Sequence, residues 1–147
     1  MNFKEKFAND LKESLKAKDE VKLSTIRFLM SAIHNVEIDK GKELTEDEVV
    51  SVLQKQVKQR KESIEGFEKG NRLDLVGKEK REMGILQEYL PEQISSSELE
   101  LMVDKSIKET SSSSIVDMGK VMGALSNQIK GKADMGVVSK LVKEKLS

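Results

Sequence analysis

The sequence predicts an all-α protein, because its apolar residues follow the helical period and its composition is poor in strand-forming residues. Apolar side chains recur at intervals of three and four residues along most of the 147-residue chain, as on the buried face of an α-helix. Aromatic residues make up only 3% of the chain and proline occurs once, whereas strands favour β-branched and aromatic residues. Charged residues of both signs, 35% of the chain, lie between the apolar positions, as on solvent-exposed helix faces.

Four helices are predicted before the single proline, Pro91. Asp19, Thr45 and Asn71 are suited to cap the second, third and fourth of them, since their side-chain oxygens accept hydrogen bonds from free backbone amides. Gly41 follows the second helix and suits a left-handed helix end. The side chains expected to be buried, helix by helix, are Phe3, Phe7, Leu11 and Leu15; Leu23, Ile26, Phe28, Leu29, Met30, Ile33 and Val36; Val49, Leu53, Val57, Ile64 and Phe67; and Leu73, Val76, Met83, Leu86 and Leu90.

Three shorter helices are predicted after Pro91. Ser95, Asp117 and Asp134 are the expected N-caps, and Ser111–Ser114 is a polar linker. Because proline disfavours helical geometry in the residue before it, we expect two groups of helices, an N-terminal one over residues 1–90 and a C-terminal one over residues 91–147. The side chains expected to be buried in the second are Leu99, Met102, Val103 and Ile107; Met118, Val121, Met122, Leu125 and Ile129; and Val138, Leu141, Val142 and Leu146.

The chain contains few of the residue types that carry catalysis or bind metals. It has no cysteine and one histidine, His34, which excludes thiolate metal sites, disulfides and cysteine nucleophiles. Gly131-Lys132 is followed by Ala133, where a phosphate-binding loop requires Ser or Thr. His34 is interpreted as a histidine at the edge of the core, and the acidic pair Glu79 and Glu82 as part of a polar helix face. We therefore expect no metal, no cofactor and no self-contained active site.

The sequence also predicts a cytosolic protein without a membrane segment. Its apolar runs are short, as in Phe28-Leu29-Met30, whereas a helix needs about 20 apolar residues to span a bilayer. The first residues, Met1–Lys6, are charged and have no apolar region of the kind that a secretory signal requires.

The segment from Met118 to the C-terminus is the most basic part of the chain. It contains six lysines against two acidic residues, a net charge of +4. Lys130-Gly131-Lys132 comes directly before the last predicted helix, where ammonium groups and free backbone amides together favour a phosphate. Asp134 opposes this by placing a negative charge at the same helix end. The candidate nucleic-acid contacts are Lys120, Lys130, Gly131, Lys132 and Lys140.

Glycines inside predicted helices suggest places where another backbone comes close. Gly119 and Gly123 stand four residues apart and therefore on one helix face. This face, together with Met122, is expected to receive a neighbouring helix, a partner protein or an RNA backbone. Gly77 and Gly84 in the fourth helix are likewise expected to pack closely against a neighbour.

A second basic group lies in the third predicted helix, between Lys55 and Lys61. It includes Arg60 and is followed directly by Glu62. Because Lys58 and Glu62 stand four residues apart, part of this charge can pair on the helix surface. We therefore interpret this group as a solvated helix face rather than as a nucleic-acid contact.

Several motifs of the chain resemble the GatB/YqeY family. The resemblance is carried by Asp117–Gly123, by Lys130–Asp134, by Gln59–Ser63, by Asn71–Leu73 and by Glu88–Gln93. It covers nearly the whole chain for stand-alone YqeY-like proteins. For the tail of GatB, the B subunit of glutamine-dependent aminoacyl-tRNA amidotransferase, it covers about the last third. The resemblance implies a multihelical fold of two different all-α subdomains, and a tail that engages tRNA while catalysis occurs in a separate domain.

Three hypotheses of function follow. The first is a non-catalytic accessory module that binds tRNA or a tRNA-containing complex through the basic C-terminal segment. The second is a protein–protein adaptor that docks a partner on the Gly119/Gly123 face. The third, implied only by the resemblance, is a component with carbon–nitrogen ligase activity that uses glutamine as amide donor, which would require a partner subunit.

Overall fold

The computed structural model describes residues 2–147, and this range is helical with no β-strand. It contains seven α-helices and one short 3₁₀ turn, so the predicted all-α, multihelical fold class is confirmed. The helices are α1 Phe3–Lys16, α2 Glu20–Lys40, α3 Glu46–Lys69, α4 Leu73–Gln87, α5 Ser96–Glu109, α6 Met118–Ile129 and α7 Met135–Leu146, and the 3₁₀ turn is Ile115–Asp117.

The helices form two compact units, one that ends at Leu90 and one that comprises Pro91–Ser147. In the first unit α2 contacts α1, α3 and α4, and α3 also lies along α4. Their apolar faces meet in one core, as burial of apolar surface is the main force that holds amphipathic helices together. The buried members of this core are Phe7, Ile26, Leu29, Ile33, Val49, Leu53, Val57, Ile85, Leu86 and Tyr89.

The helix ends of the first unit follow local sequence signals, with one exception. The Asp19 carboxylate accepts a hydrogen bond from the Lys22 amide at 3.2 Å, and Thr45 forms its predicted capping box. Gly41 ends α2 in the left-handed conformation, with φ of 70°. Asn71 was expected to cap α4 and does not: it adopts φ of 55° directly after α3. Asparagine tolerates left-handed geometry better than most residues, so it ends one helix here instead of starting the next.

Three side chains that were expected in the core are exposed: Leu15, Phe28 and Leu73. A step of four residues overshoots one helical turn by about 40°, so the stripe that begins at Phe3 has drifted off the buried face by Leu15. Phe28 lies about 200° around α2 from the buried Ile26, at 100° per residue. Leu73 is the first residue of α4.

Tyr89 joins the start and the end of the first unit. Its hydroxyl donates a hydrogen bond of 2.5 Å to the Asp10 carboxylate of α1. Its ring meets that of Phe7 edge to face, with 4.9 Å between the centroids. Burial, and then the Asp10 carboxylate, raise the pKa of Tyr89 above its usual value. The phenol therefore stays protonated and holds α1 against the segment that follows α4.

The second unit is built from α5, α6, α7 and the 3₁₀ turn. Its helices contact one another pairwise around a core of Leu99, Val103, Val121, Leu125, Ile129, Ala133, Val138, Val142 and Leu146. Ser95 caps α5 by accepting a hydrogen bond from the Glu98 amide at 3.2 Å. Asp117 precedes α6 without capping it, because its carboxylate accepts a hydrogen bond from the Ser113 amide at 3.0 Å instead. That hydrogen bond is the main cause of the lowered pKa of Asp117.

The glycines of α4 do not pack closely against a neighbour. A Cβ atom added at Gly77 or at Gly84 would meet nothing within 4 Å, so this expectation is wrong. Their small size is not required by any contact of the described residues. None of the described helices combines the length and the apolar character needed to cross a membrane.

Candidate functional site

The connection between α6 and α7 adopts a backbone conformation that favours glycine at its centre. Gly131 has φ of 76°, a region that residues with a Cβ atom enter at a cost. On either side, the Lys130 amide donates to the Ser126 carbonyl at 3.0 Å and the Lys132 amide donates to the Ile129 carbonyl at 2.9 Å. The connection is therefore a tight turn that continues the hydrogen bonds of α6.

The same connection is held from the other side by the segment that follows Pro91. The Gln93 side-chain amide donates a hydrogen bond to the Gly131 carbonyl at 2.9 Å, and the Ile94 backbone amide donates to the Lys132 carbonyl at 2.9 Å. Sequence reasoning missed Gln93, because a partner 38 residues away leaves no local signal. These bonds fix the backbone of the connection and leave the Lys132 side chain exposed.

Asp134 occupies the N-terminus of α7. Its carboxylate accepts a hydrogen bond from the Gly136 amide at 2.9 Å, and its carbonyl accepts one from the Val138 amide at 3.1 Å. Asp134 is thus the predicted N-cap, and it takes up an amide that a phosphate would otherwise use. The site predicted at Lys130-Gly131-Lys132 must therefore attract an anion through its ammonium groups more than through the helix end.

The predicted nucleic-acid contacts do not all lie together. Lys130, Gly131 and Lys132 share one turn, whereas Lys120 lies in the first turn of α6. At 1.5 Å per residue, Lys120 is about 15 Å from Lys130 along the helix axis, and its Nζ lies 3.6 Å from an Asp117 carboxylate oxygen. Lys140 is exposed in the middle of α7. The structure therefore brings Lys130, Gly131 and Lys132 together in one turn and places Lys120 outside it.

Lys145, another of the six lysines in the basic segment, also pairs inside the unit. Lys145 Nζ lies 2.8 Å from Asp104 and 3.2 Å from Glu100, both on α5. The hydrogen bond to Asp104 is the main reason that the pKa of Lys145 is raised. Lys145 therefore links α7 to α5 and contributes little attraction to an outside partner.

The Gly119/Gly123 face of α6 is open. A Cβ atom added at either glycine would meet nothing within 4 Å, so a neighbouring helix of the second unit does not pack there. Met122, between them, is partly buried against the core and is not a free docking side chain. The interpretation of these glycines as positions that receive a neighbouring helix of the second unit is therefore wrong, and contact with an outside molecule stays a prediction.

A partly buried ion cluster in the first unit was not predicted. Arg60 Nη1 lies 3.0 Å from Glu79 Oε2 and also bonds the Glu82 carboxylate. The side chain of Arg60 is only 18% exposed and that of Glu82 only 9%. Their assignment to solvated and polar helix faces is therefore wrong. One signal could have placed Glu82 correctly: it stands four residues before the buried Leu86 and thus on the same helix face.

The cluster lies at an open pocket of about 440 Å³ among α2, α3 and α4. Phe28 borders this pocket, and Arg60 Cζ lies 5.7 Å from the centroid of its ring. The residues that line the pocket are Ser24, Thr25, Phe28, Gln56, Gln59, Arg60, Ser63, Lys78, Glu79 and Glu82. This pocket is referred to below as the Arg60 pocket.

His34 is exposed on α2, at the border of the core as expected. It lines a more apolar pocket of about 420 Å³ together with Phe3, Met30 and Val49. No group of three or more metal-ligating side chains occurs in the part of the chain that the structure describes.

The fold and the sites described above define a small protein of two helical units with an exposed lysine-bearing turn. Comparison with known families identifies it further. The profile of the Yqey-like protein family matches residues 4–146. Because this match covers nearly the whole chain, the chain belongs to the YqeY-like family.

Curated relatives carry the name altered inheritance of mitochondria protein 41, mitochondrial. The protein from Lachancea thermotolerans is 45% identical over 93 residues, which are 63% of this chain and 50% of that protein. The Saccharomyces cerevisiae protein is 43% identical over 101 residues, 68% of this chain and 54% of that protein. The Vanderwaltozyma polyspora protein is 44% identical over 82 residues, which are 55% of this chain and 44% of that protein. The matches thus span about half the length of these relatives.

The prediction of a cytosolic protein is contradicted by these relatives, which are named as mitochondrial proteins. The prediction rested on the lack of an apolar region at the N-terminus. That feature separates secretory signals from other N-termini but does not select one compartment among the remaining ones. The first residues of the chain therefore do not specify the cytosol.

Proposed function

We propose that this protein is a non-catalytic accessory module that binds tRNA, or a complex that contains tRNA, through the turn between α6 and α7. The observation that carries this proposal is the rigid presentation of Lys132 beside Lys130. Gln93 and Ile94 hold the turn by hydrogen bonds to its carbonyl groups. A lysine on a fixed backbone loses less conformational freedom on binding a phosphate than one on a mobile loop.

The charge of the chain sets the strength of this binding. The chain as a whole has a net charge of zero and a pI of about 6.6, whereas the segment from Met118 onwards has a net charge of +4. Attraction to RNA is therefore local and depends on a few phosphate contacts. We expect a modest affinity that falls with salt, because each phosphate contact releases bound counterions.

The resemblance to the tail of GatB supports RNA as the partner. The motifs that carry this resemblance, Asp117–Gly123 and Lys130–Asp134, are the start of α6 and the turn after it. In GatB the corresponding tail engages tRNA, so the same region of this chain is proposed to do so.

The proposal is tested by reversing the charge of the turn. The double variant Lys130→Glu, Lys132→Glu should bind tRNA at least about 10-fold more weakly. The slope of its binding constant against salt concentration, on logarithmic scales, should fall by the equivalent of about one to two phosphate contacts. Binding is measured by fluorescence anisotropy at several salt concentrations, and folding by circular dichroism.

Lys105→Glu with Lys108→Glu is the matched control. It makes the same charge change on α5 of the same unit, so its binding should change much less. Equal loss of binding in the two double variants would show a diffuse charge effect and would contradict a site at the turn. So would unchanged binding by a folded Lys130→Glu, Lys132→Glu variant.

A protein partner is the second candidate, favoured by the open face of α6. Gly119 and Gly123 have no contact that requires their small size, and Val116, just before α6, is 88% exposed. Capture of one protein that survives RNase treatment would favour this adaptor role. Loss of the captured material on RNase treatment would favour the RNA role.

A carbon–nitrogen ligase role, with glutamine as amide donor, would belong to a complex with a catalytic subunit. Conversion of glutamyl-tRNA to glutaminyl-tRNA by the pure chain, with ATP and glutamine supplied, would contradict the non-catalytic proposal.

A further inference from the structure

We infer that the Arg60 pocket of the first unit binds a single unpaired nucleobase, with the Phe28 ring as its stacking surface. The pocket belongs to a different unit from the lysine-bearing turn. This inference therefore stands or falls separately from the function proposed above.

The pocket is formed by three helices whose side chains converge on one opening. Ser24, Thr25 and Phe28 come from α2, and Lys78, Glu79 and Glu82 come from α4. Between them, α3 contributes Gln56, Gln59, Arg60 and Ser63. Its volume of about 440 Å³ lies within the range of small-molecule sites, which is about 300–1,000 Å³. Side chains on packed helices hold their positions better than side chains on loops, so the site is preorganised.

The charges of the pocket cancel and therefore indicate a neutral ligand. Arg60 and Lys78 stand against Glu79 and Glu82, and Lys78 Nζ lies 3.9 Å from Glu82 Oε1. A free phosphate would require an excess of positive charge, and a metal ion an excess of negative charge. A neutral group that carries both donors and acceptors fits this balance.

Arg60 retains hydrogen-bond donors for such a ligand. Both of its bonds to carboxylates use Nη1. Its Nε and Nη2 make no hydrogen bond to any residue from 2 to 147. A guanidinium carries five N–H groups in one plane, and this plane suits the carbonyl and ring-nitrogen acceptors of a base. The two glutamates hold that plane in place.

The amides of Gln56 and Gln59 add donors and acceptors at the same opening. Each primary amide carries an acceptor oxygen and two donor hydrogens, which match the mixed edge of a nucleobase. Among the described residues neither side chain has a hydrogen-bond partner, so neither amide is committed to holding the fold.

Phe28 is the one apolar side chain among the described residues that line the pocket, and it is 57% exposed. The Arg60 guanidinium lies over one face of this ring, with 5.7 Å from Cζ to the centroid. Aromatic rings and arginine planes of this kind are the surfaces on which unpaired bases stack. A purely apolar ligand would require more apolar lining. An extended peptide would need free backbone groups at the rim, but the backbone groups of α2, α3 and α4 at these positions are bonded within their helices.

The experiment is a titration of the full ¹⁵N-labelled chain, followed by the amide signals of α2, α3 and α4. The probes are the four nucleoside 5′-monophosphates, a short single-stranded RNA, and the same RNA in a duplex. We expect saturable shifts around the pocket with at least one monophosphate and with the single strand, but not with the duplex, whose bases are paired. Tighter binding of the strand than of the monophosphate would identify RNA as the source of the base, and the reverse would identify a free nucleotide.

Phe28→Ala is the decisive variant, because its ring is exposed and its removal should leave the fold intact. We expect it to weaken binding of the base roughly 10-fold or more, as stacking on an aromatic side chain contributes this much. Ile38→Ala, an exposed apolar residue of the same helix outside the pocket, should bind as the wild type does. Lys130→Glu with Lys132→Glu should leave the shifts at the pocket unchanged.

The inference is overturned if none of the probes produces saturable shifts at the pocket, or if Phe28→Ala binds as tightly as Ile38→Ala. Equal shifts at the pocket with single-stranded and duplex RNA would also overturn it, since a paired base cannot enter the pocket.

Discussion

Glu48 performs two tasks at the start of α3. Its carboxylate accepts a hydrogen bond from the Thr45 amide at 3.2 Å and thereby closes the capping box. It also bonds Lys40 Nζ at the end of α2. The Lys40 ammonium, and then the Thr45 amide, lower the pKa of Glu48 to about 2 from its ordinary value of 4.5. This one carboxylate thus ties the end of one helix to the beginning of the next.

Replacing Glu48 with Gln should lower stability in a pH-dependent way. Glutamine keeps the shape of the capping box but loses the charge that Lys40 attracts. The unfolded chain protonates Glu48 more readily than the folded one, so the wild-type advantage is complete above pH 4.5 and disappears as the pH falls towards about 2. Urea unfolding at several pH values measures the difference.

Lys40→Met provides the control for this prediction. In the Lys40→Met background, Glu48→Gln should lower the free energy of unfolding less at neutral pH than it does in the wild type, because the charge that Glu48 attracts is already absent. A difference that stays constant from pH 7 to pH 2 would contradict the assigned role of the carboxylate.

Local side-chain chemistry made several residues predictable, while distant pairing hid others. Thr45 and Asp134 cap helices in the structure as predicted. These caps could be predicted because their hydrogen bonds reach only two or three residues along the chain. The partners Arg60 and Glu82 are 22 residues apart and meet only after two helices have packed. Asn71 was misjudged because asparagine suits both a helix start and a left-handed helix end.

At the scale of elements, α6 and the turn after it use glycine in opposite ways. Gly119 and Gly123 are helical, exposed and free of close contacts, so the fold does not need them. Gly131 has φ of 76° and is needed for the turn that presents Lys132. The fold therefore requires a glycine at position 131, whereas only contact with another molecule would require glycines at positions 119 and 123.

Alanine substitutions distinguish these two uses. Gly119→Ala and Gly123→Ala should each stabilise the protein by up to about 1 kcal/mol, because alanine favours the helix over glycine by this amount. Gly131→Ala should destabilise it by about 1–2 kcal/mol, since alanine is strained at positive φ. Chemical unfolding of the three single variants gives the values.

The Gly119→Ala, Gly123→Ala double variant also tests contact with another molecule. If it is stabilised but no longer captures a partner that the wild type captures, that partner contacts this face of α6. Destabilisation by Gly119→Ala or by Gly123→Ala would contradict the observation that each position has room for a Cβ atom.

At the scale of the whole molecule, the two cores predict two separate folding units. Each core draws its residues from one side of Leu90-Pro91. Burial of apolar surface supplies most of the stability of a helical unit, so we propose that damage to one core leaves the other folded. The second unit, of 57 residues, lies near the lower size at which a domain folds unaided.

Val121→Asp tests this proposal. Val121 is fully buried in the second core, and a carboxylate there costs several kcal/mol, enough to unfold a small unit. The amide signals of residues 91–147 should collapse to disordered positions while those of the first unit remain dispersed. Val116→Asp, at an exposed position, should leave both sets unchanged. Loss of all dispersed signals in Val121→Asp would show that the units fold as one.

The contacts of Tyr89 with α1 are completed late in the synthesis of the first unit. Synthesis delivers α1 first, and α1 can pack on α2 as soon as α2 has been made. The ring that meets Phe7 and the hydroxyl that bonds Asp10 arrive some eighty residues later. The last step in the assembly of this unit is therefore the attachment of its end to its beginning.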